Sequence, residues 1–171
     1  MDLSKSNLSG IGAVCLLVNG VIFIFYALTA PFDVHWLITL AAVLFIVALP
    51  AIYYYLGRVH KGAAKAVTVL FGIGMLLIVL SYVLFVSSSL PTSDLIYFQV
   101  YGDALLAICL FAIGVLAWKG GFPKWLAILS IVTGIIGVLA YVLNTFLLVA
   151  PSLLLVGVWS LAMGFTLRRT K

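Results

Sequence analysis

Residues 126–167 read LAILSIVTGIIGVLAYVLNTFLLVAPSLLLVGVWSLAMGFTL and contain no charged side chain. A transmembrane helix needs about twenty consecutive apolar residues, because the hydrocarbon core of a bilayer is about 30 Å thick and a helix rises about 1.5 Å per residue. This stretch is about twice that length, and Asn144 and Thr145 interrupt it near the middle. It therefore predicts a hairpin of two membrane-spanning helices.

The composition of the whole chain extends this interpretation. Of the 171 residues, 66% are hydrophobic and only 8% are charged, and the mean hydropathy is +1.36. Soluble domains contain about 25% charged residues, so a chain this apolar lacks the polar groups to cover a surface in water. We predict an all-α, polytopic transmembrane helix bundle that forms a single domain. Its six spans are expected at about residues 11–30, 36–56, 64–85, 97–118, 123–143 and 148–167.

The distribution of charge predicts the orientation of these spans. All nine Lys and Arg residues precede span one, follow span six, or lie at the connections between spans two and three and between spans four and five. The three connections on the other side hold Asp33 and Asp94 but no basic residue. Short loops rich in Lys and Arg stay in the cytoplasm, so we predict a protein of the cell membrane with both termini cytoplasmic.

The same distribution bears on binding partners. The basic residues mark the ends of spans and form no stripe with interleaved aromatic residues, so we predict no nucleic-acid partner. The expected partner is the lipid bilayer, and the basic connections could bind anionic lipid at the cytoplasmic face. We also keep open a membrane-protein partner or a homo-oligomer.

Asp103 is the residue most informative about a site, because it lies inside span four. A carboxylate at the centre of a transmembrane helix costs about 2.5–3.5 kcal/mol on insertion scales, and such residues usually face the bundle interior and pair with another group. Gln99 lies one turn earlier on the same face. One reading is a site for a proton, a cation or a ligand. The other is a structural carboxylate in a wet vestibule, or one bonded to a neighbouring helix.

Further polar residues are predicted on the same side of the membrane as Asp103. Asp33, His35 and Asp94 could join Asp103 and Gln99 in one candidate polar site. Metal sites use His and carboxylate ligands, but the spacing is loose and His60 falls on the opposite side of the membrane, so we predict no metal. No motif indicates a cofactor. Asn19, near the middle of span one, is expected to hydrogen-bond across helices.

Residues 118–169 contain Gly121-Phe122-Pro123-Lys124-Trp125-Leu126 at the entry to span five, followed by Gly134, Pro151, Trp159 and Gly164 before Arg168-Arg169. In this C-terminal third, the chain resembles the DUF4386 family of small six-span membrane proteins of unknown function. The earlier spans match only in hydropathy. The resemblance implies a six-span bundle and carries no catalytic residues.

Catalytic motifs are missing from the sequence: it contains no Ser-His-Asp, Cys-His or H-E-x-x-H pattern and no paired carboxylates. We therefore lean towards a non-enzymatic protein, such as an accessory subunit of a membrane complex. The alternative is a small transporter or ligand-binding membrane protein with an outward-facing polar site around Asp103. An intramembrane enzyme acting on lipid or quinone has only the membrane location in its favour.

Overall fold

The fold consists of six long helices. The computed structural model describes residues 3–29, 35–87, 92–120, 122–143 and 146–169. The helices are α1 (Leu3–Thr29), α2 (His35–Leu56), α3 (Lys61–Val86), α4 (Thr92–Lys119), α5 (Lys124–Val142) and α6 (Phe146–Arg169). Each overlaps one predicted span, and each is long and apolar enough to cross a membrane. The predicted all-α bundle with six spans is confirmed, and the described residues contain no strand.

The ends of the helices follow from local chemistry. The Nδ1 atom of His60 accepts a hydrogen bond from the backbone N–H of Ala63 at 3.1 Å, which caps the start of α3. Helix N-termini carry N–H groups without intrahelical partners, so such a side chain defines where a helix begins. Pro123 directly precedes α5, where its missing N–H costs no helical hydrogen bond. The predicted turn at Asn144-Thr145 lies outside the described residues.

The helices pack as a closed ring in chain order, because each helix contacts the next and α6 returns to α1. Neighbours run antiparallel. A Cβ atom added to Gly20 would meet the Gly157 carbonyl oxygen, and one added to Gly164 would meet the Ala13 carbonyl oxygen, so positions rise along α1 as they fall along α6. The start of α1 and the end of α6 therefore lie at the same end of the bundle.

The two ends of the bundle differ in charge. The basic end is the one at which α2, α4 and α6 finish, and it holds Arg58, Lys61, Lys119, Lys124 and Arg168. The acidic end is the opposite one, at which α1, α3 and α5 finish. It is named for two residues: Asp33 lies between α1 and α2 in the sequence, and Asp94 lies in the first turn of α4.

Aromatic side chains fill the middle of the ring. The Phe45 ring on α2 lies 5.7 Å from Phe23 on α1, 5.1 Å from Phe71 on α3 and 6.3 Å from Trp159 on α6, measured between ring centroids. Phe45, Phe71 and Trp159 are completely buried. Large apolar side chains instead cover the outside of the bundle, for example Val14, Val21 and Leu28 on α1. A filled interior and an apolar exterior are what a helix bundle embedded in lipid requires.

Candidate polar site between α4, α5 and α6

Asp103 lies on α4 in the half of the bundle towards the acidic end. The span of α4 begins at Tyr97, which places Asp103 about 9 Å inside it at about 1.5 Å per residue. The carboxylate accepts a hydrogen bond from the hydroxyl group of Tyr141 on the neighbouring α5. The pair joins two helices at a depth where a carboxylate cannot reach bulk water along its own short side chain.

The packing of α3 on α4 fixes the position of Asp103. Gly102 lies against Gly74 on α3, and a Cβ atom added to Gly102 would lie only 2.7 Å from the Gly74 carbonyl oxygen. Small residues allow membrane helices to approach each other closely. Because Gly102 faces α3, the next residue, Asp103, points to the side on which α5 lies, where it meets Tyr141.

A cleft opens beside Asp103 where α4, α5 and α6 meet. Its volume is about 20 Å³, which is room for one or two water molecules. Besides Asp103 and Tyr141, its polar lining consists of Thr133 on α5 and Ser152 on α6. The remaining lining is apolar: Leu106, Ala107, Leu110, Gly137, Leu153 and Val156. The cleft therefore offers oxygen atoms to a very small polar ligand and little space to an organic one.

The described spans that form the cleft contain no Lys or Arg to neutralise Asp103. The sequence contains no Lys or Arg in residues 66–118 or 125–167, which include the membrane-spanning parts of all three cleft helices. Lys119 on the same helix is about 24 Å away along the axis, at about 1.5 Å per residue. A buried carboxylate without a cation must be protonated, hydrated or bound to a small cation, because an isolated charge is costly in low dielectric.

The structure brings only part of the predicted polar site together. Gln99 is half-buried on α4 one turn nearer to the acidic end, and it does not line the cleft. His35 begins α2 and Asp94 lies in the first turn of α4, and only their backbone is described. Asp33 lies outside the described residues. The grouping of these residues with Asp103 therefore stays a prediction.

Three lining residues were missed by reasoning from the sequence: Thr133, Tyr141 and Ser152. Hydroxyl-bearing residues in apolar spans are common and carry no signal of their own. Tyr141 could have been found in another way. A carboxylate inside a span needs a partner, and that partner has to lie at the same depth on an adjacent antiparallel helix. Tyr141, near the end of α5, meets that condition.

A second group of polar residues lies in the centre of the bundle. The indole N–H of Trp159 on α6 donates a hydrogen bond to the hydroxyl oxygen of Ser130 on α5. Asn19 on α1 is completely buried, but its amide has no hydrogen-bond partner among the described residues. The expected hydrogen bond from Asn19 to another helix is therefore not found in this part of the chain.

The described residues contain no group of three or more His, Cys, Asp and Glu side chains that could hold a metal ion. His60 lies at the basic end, where it caps α3. Among the described membrane spans, the acidic residue is Asp103, and it is hydrogen-bonded to Tyr141. Its chemistry is thus that of a carboxylate and a phenol beside two aliphatic hydroxyl groups.

Comparison of the chain with family models, with characterised proteins and with solved structures found no match. The resemblance of residues 118–169 to the DUF4386 family accordingly stays a prediction. The chain is a multi-pass membrane protein by its six apolar helices, and its site has to be interpreted from its own chemistry.

Proposed function

We propose that this chain is a protein of the cell membrane, with both termini in the cytoplasm, that binds a proton or a small monovalent cation at Asp103. The orientation is supported by the nine basic residues, which all fall on the side of the chain termini. The acidic end then faces outward, and the cleft beside Asp103 lies in the outer half of the membrane.

One observation carries the proposed activity: a carboxylate inside a membrane span is hydrogen-bonded to Tyr141, and the spans around it contain no basic residue. Ionisable residues inside a membrane are rare, face the bundle interior and mark ion pathways and proton relays. A proton or a dehydrated monovalent cation would supply the missing positive charge.

The size of the cleft restricts the ligand further. Sites for organic ligands enclose about 300–1,000 Å³, whereas this cleft has about 20 Å³. Oxygen atoms from Asp103, Tyr141, Thr133 and Ser152 are hard ligands, and these suit a proton or an alkali cation better than a soft metal. Binding of a single small ion fits both the volume and the donor atoms.

Asp103→Asn tests this proposal, with Asp94→Asn as the matched control because it is the same substitution on the same helix. Difference infrared spectroscopy of the protein in lipid should show the carbonyl band of a protonated carboxylic acid that grows as the pH falls. The band should disappear in Asp103→Asn and persist in Asp94→Asn.

A monovalent cation would give a different result in the same samples. Sodium or potassium ions would then raise the thermal stability of the wild-type protein and of Asp94→Asn, and would leave that of Asp103→Asn unchanged. A protein that shows neither the infrared band nor a cation-dependent stability has no ion site at Asp103, and the proposal would be wrong.

A second candidate function is an accessory subunit of a membrane complex. It is favoured by the aromatic side chains packed around Phe45 in the centre of the bundle and by the small volume of the cleft. Native mass spectrometry after mild detergent extraction tests it. Co-purification of a second membrane protein or a stable homo-oligomer supports this function, and a lone chain contradicts it.

The basic end also supports a proposal about lipid. Arg58, Lys61, Lys119, Lys124 and Arg168 have exposed side chains, and Arg58 stacks over the Tyr54 ring at 5.2 Å. Each basic residue near a membrane surface contributes about 1 kcal/mol to attraction of anionic lipid. Enrichment of anionic over zwitterionic lipid around the purified protein, measured by lipid mass spectrometry, would test this binding.

A further inference from the structure

The amide of Asn19 differs from the other buried polar side chains of the described residues. Ser160 on α6 is also completely buried, but its hydroxyl group donates to the Val156 carbonyl oxygen at 2.8 Å. Thr133 donates to the Leu129 carbonyl oxygen at 2.7 Å. In the described residues, both the donor and the acceptor of the Asn19 amide are buried without a partner. Hydroxyl groups can bond within their own helix, whereas this amide depends on something across the bundle.

The depth of Asn19 follows from the packing of α1 on α6. Gly20 lies against Gly157 and Leu161, so Asn19 is at the height of α6 residues 157–161, in the middle of the membrane. Leu16, Asn19 and Phe23 are one turn apart and all are buried. Asn19 therefore belongs to the interior face of α1, near the height at which Trp159 bonds to Ser130.

The energetic cost of a bare amide at this depth is high. Burial of an amide without hydrogen bonds costs about 1–3 kcal/mol in proteins, and lipid offers no water nearby to reduce that cost. The ligand that removes it must both donate and accept, because the amide has a free oxygen and a free NH₂ group. It must also be small, because the Asn19 side chain is completely buried. Water is the smallest molecule with both properties.

We infer that Asn19 is the binding site of an internal water molecule in the middle of the membrane. Water donates to the amide oxygen and accepts from the NH₂ group, in place of the interhelical hydrogen bond that the sequence led us to expect. This site is separate from the cleft at Asp103 and does not depend on the proposed function.

Nuclear magnetic resonance of the full chain in lipid nanodiscs tests the inference. The protein is deuterated at carbon and labelled with ¹⁵N on asparagine only. The chain has three asparagines, Asn7, Asn19 and Asn144, and Asn7→Gln and Asn144→Gln identify the Asn19 signal by elimination. The NH₂ protons of Asn19 should show dipolar cross-relaxation with water of the sign expected for a long-lived bound molecule. A resolved Asn19 signal without this cross-relaxation would overturn the inference.

Stability measurements give an independent test. Asn19→Leu has a similar volume and needs no hydrogen bond. If the amide binds water, this substitution leaves the unfolding equilibrium within a few-fold of the wild type or shifts it towards unfolding. If the amide is dry, Leu favours the folded state by about tenfold or more, and the inference fails. Ser160→Ala serves as the control, because its hydroxyl group is bonded within its own helix.

Discussion

The two halves of the bundle differ in how they accommodate polar groups. At the basic end, Tyr55 on α2 packs against Phe122 with ring centroids 4.3 Å apart, and the charged side chains lie outside this packing. In the half towards the acidic end, Asp103 and Tyr141 line a cleft between three helices. Long Lys and Arg side chains reach the headgroup region from a packed helix end. The Asp103 side chain has only one methylene group and cannot reach the headgroup region, so its carboxylate needs a partner and space within the bundle.

This comparison separates packing from hydrogen bonding as sources of stability. Substitutions that remove buried volume should have their largest effects at the basic end and in the centre. Substitutions near Asp103 should cost less stability and change ion binding more. The predicted changes in stability are to be measured by unfolding of the purified protein in mixed micelles with increasing denaturing detergent.

The largest effect is expected from truncation of Tyr55, which is 4% exposed. Removal of a buried aromatic side chain costs about 3–5 kcal/mol, because the lost contacts are not recovered by relaxation. Tyr55→Ala should therefore destabilise the bundle by that amount. Tyr141→Ala, at a half-buried position, should cost clearly less. Equal costs for the two tyrosines would show that both halves are packed alike.

Gly74→Ala should have the next largest effect. Its new Cβ atom would lie 2.9 Å from the Gly102 carbonyl oxygen and 3.0 Å from the Leu105 Cβ atom, so α3 and α4 would have to separate. Overpacking of this kind costs about 1–3 kcal/mol. In the control Gly72→Ala, the new atom meets only the Leu49 Cδ1 atom at 3.1 Å, which can rotate away.

The displacement of α4 in Gly74→Ala should also disturb Asp103. Binding of a proton, followed by the infrared band of the carboxylic acid, should change in Gly74→Ala and stay as in the wild type in Gly72→Ala. Destabilisation without any change in this band would mean that the contact of α3 with α4 does not position the site.

Tyr141→Phe removes the hydroxyl group that donates to Asp103 and leaves the ring in place. Hydrogen bonds between transmembrane helices contribute about 0.6–2 kcal/mol, and we expect a loss in this range. The cost should vanish in an Asp103→Leu background, because leucine offers no acceptor to the Tyr141 hydroxyl group. Tyr55→Phe is the control, and a loss of the same size there would remove the special role of the Asp103–Tyr141 pair.

Ser130→Ala should have the smallest of these effects, at about 1 kcal/mol, which is the low end of the cost of an unpaired buried polar group and within the range for hydrogen bonds between membrane helices. It leaves the buried indole N–H of Trp159 without its acceptor, whereas Ser160→Ala leaves no group unpaired because the Val156 carbonyl group keeps its helical hydrogen bond. Ultraviolet resonance Raman spectra of the indole should report the lost hydrogen bond in Ser130→Ala only. Three tryptophans, Trp36, Trp118 and Trp125, are more than half exposed, so their signals should not change.

The sequence by itself determined the fold class and the number of helices. Residues 126–167 need two crossings because their length is set by the thickness of a bilayer, and the separation of basic from acidic connections requires an even number of spans. Asp103 was also recognisable, since a carboxylate in an apolar span is costly wherever its helix packs. These properties depend on the chain and its solvent and need no knowledge of neighbouring helices.

Only the tertiary structure decided which residues meet. The partner of Asp103 is Tyr141, and the other polar groups of the cleft are Thr133 and Ser152 rather than Gln99. Likewise, Asn19 was expected to bond across helices, but its amide is left without a partner among the described residues. Hydropathy is nearly uniform around these helices, so it does not specify their rotation. Rotation is set by the close contacts of small residues such as Gly74 with Gly102, and those contacts form only when the ring of six helices closes.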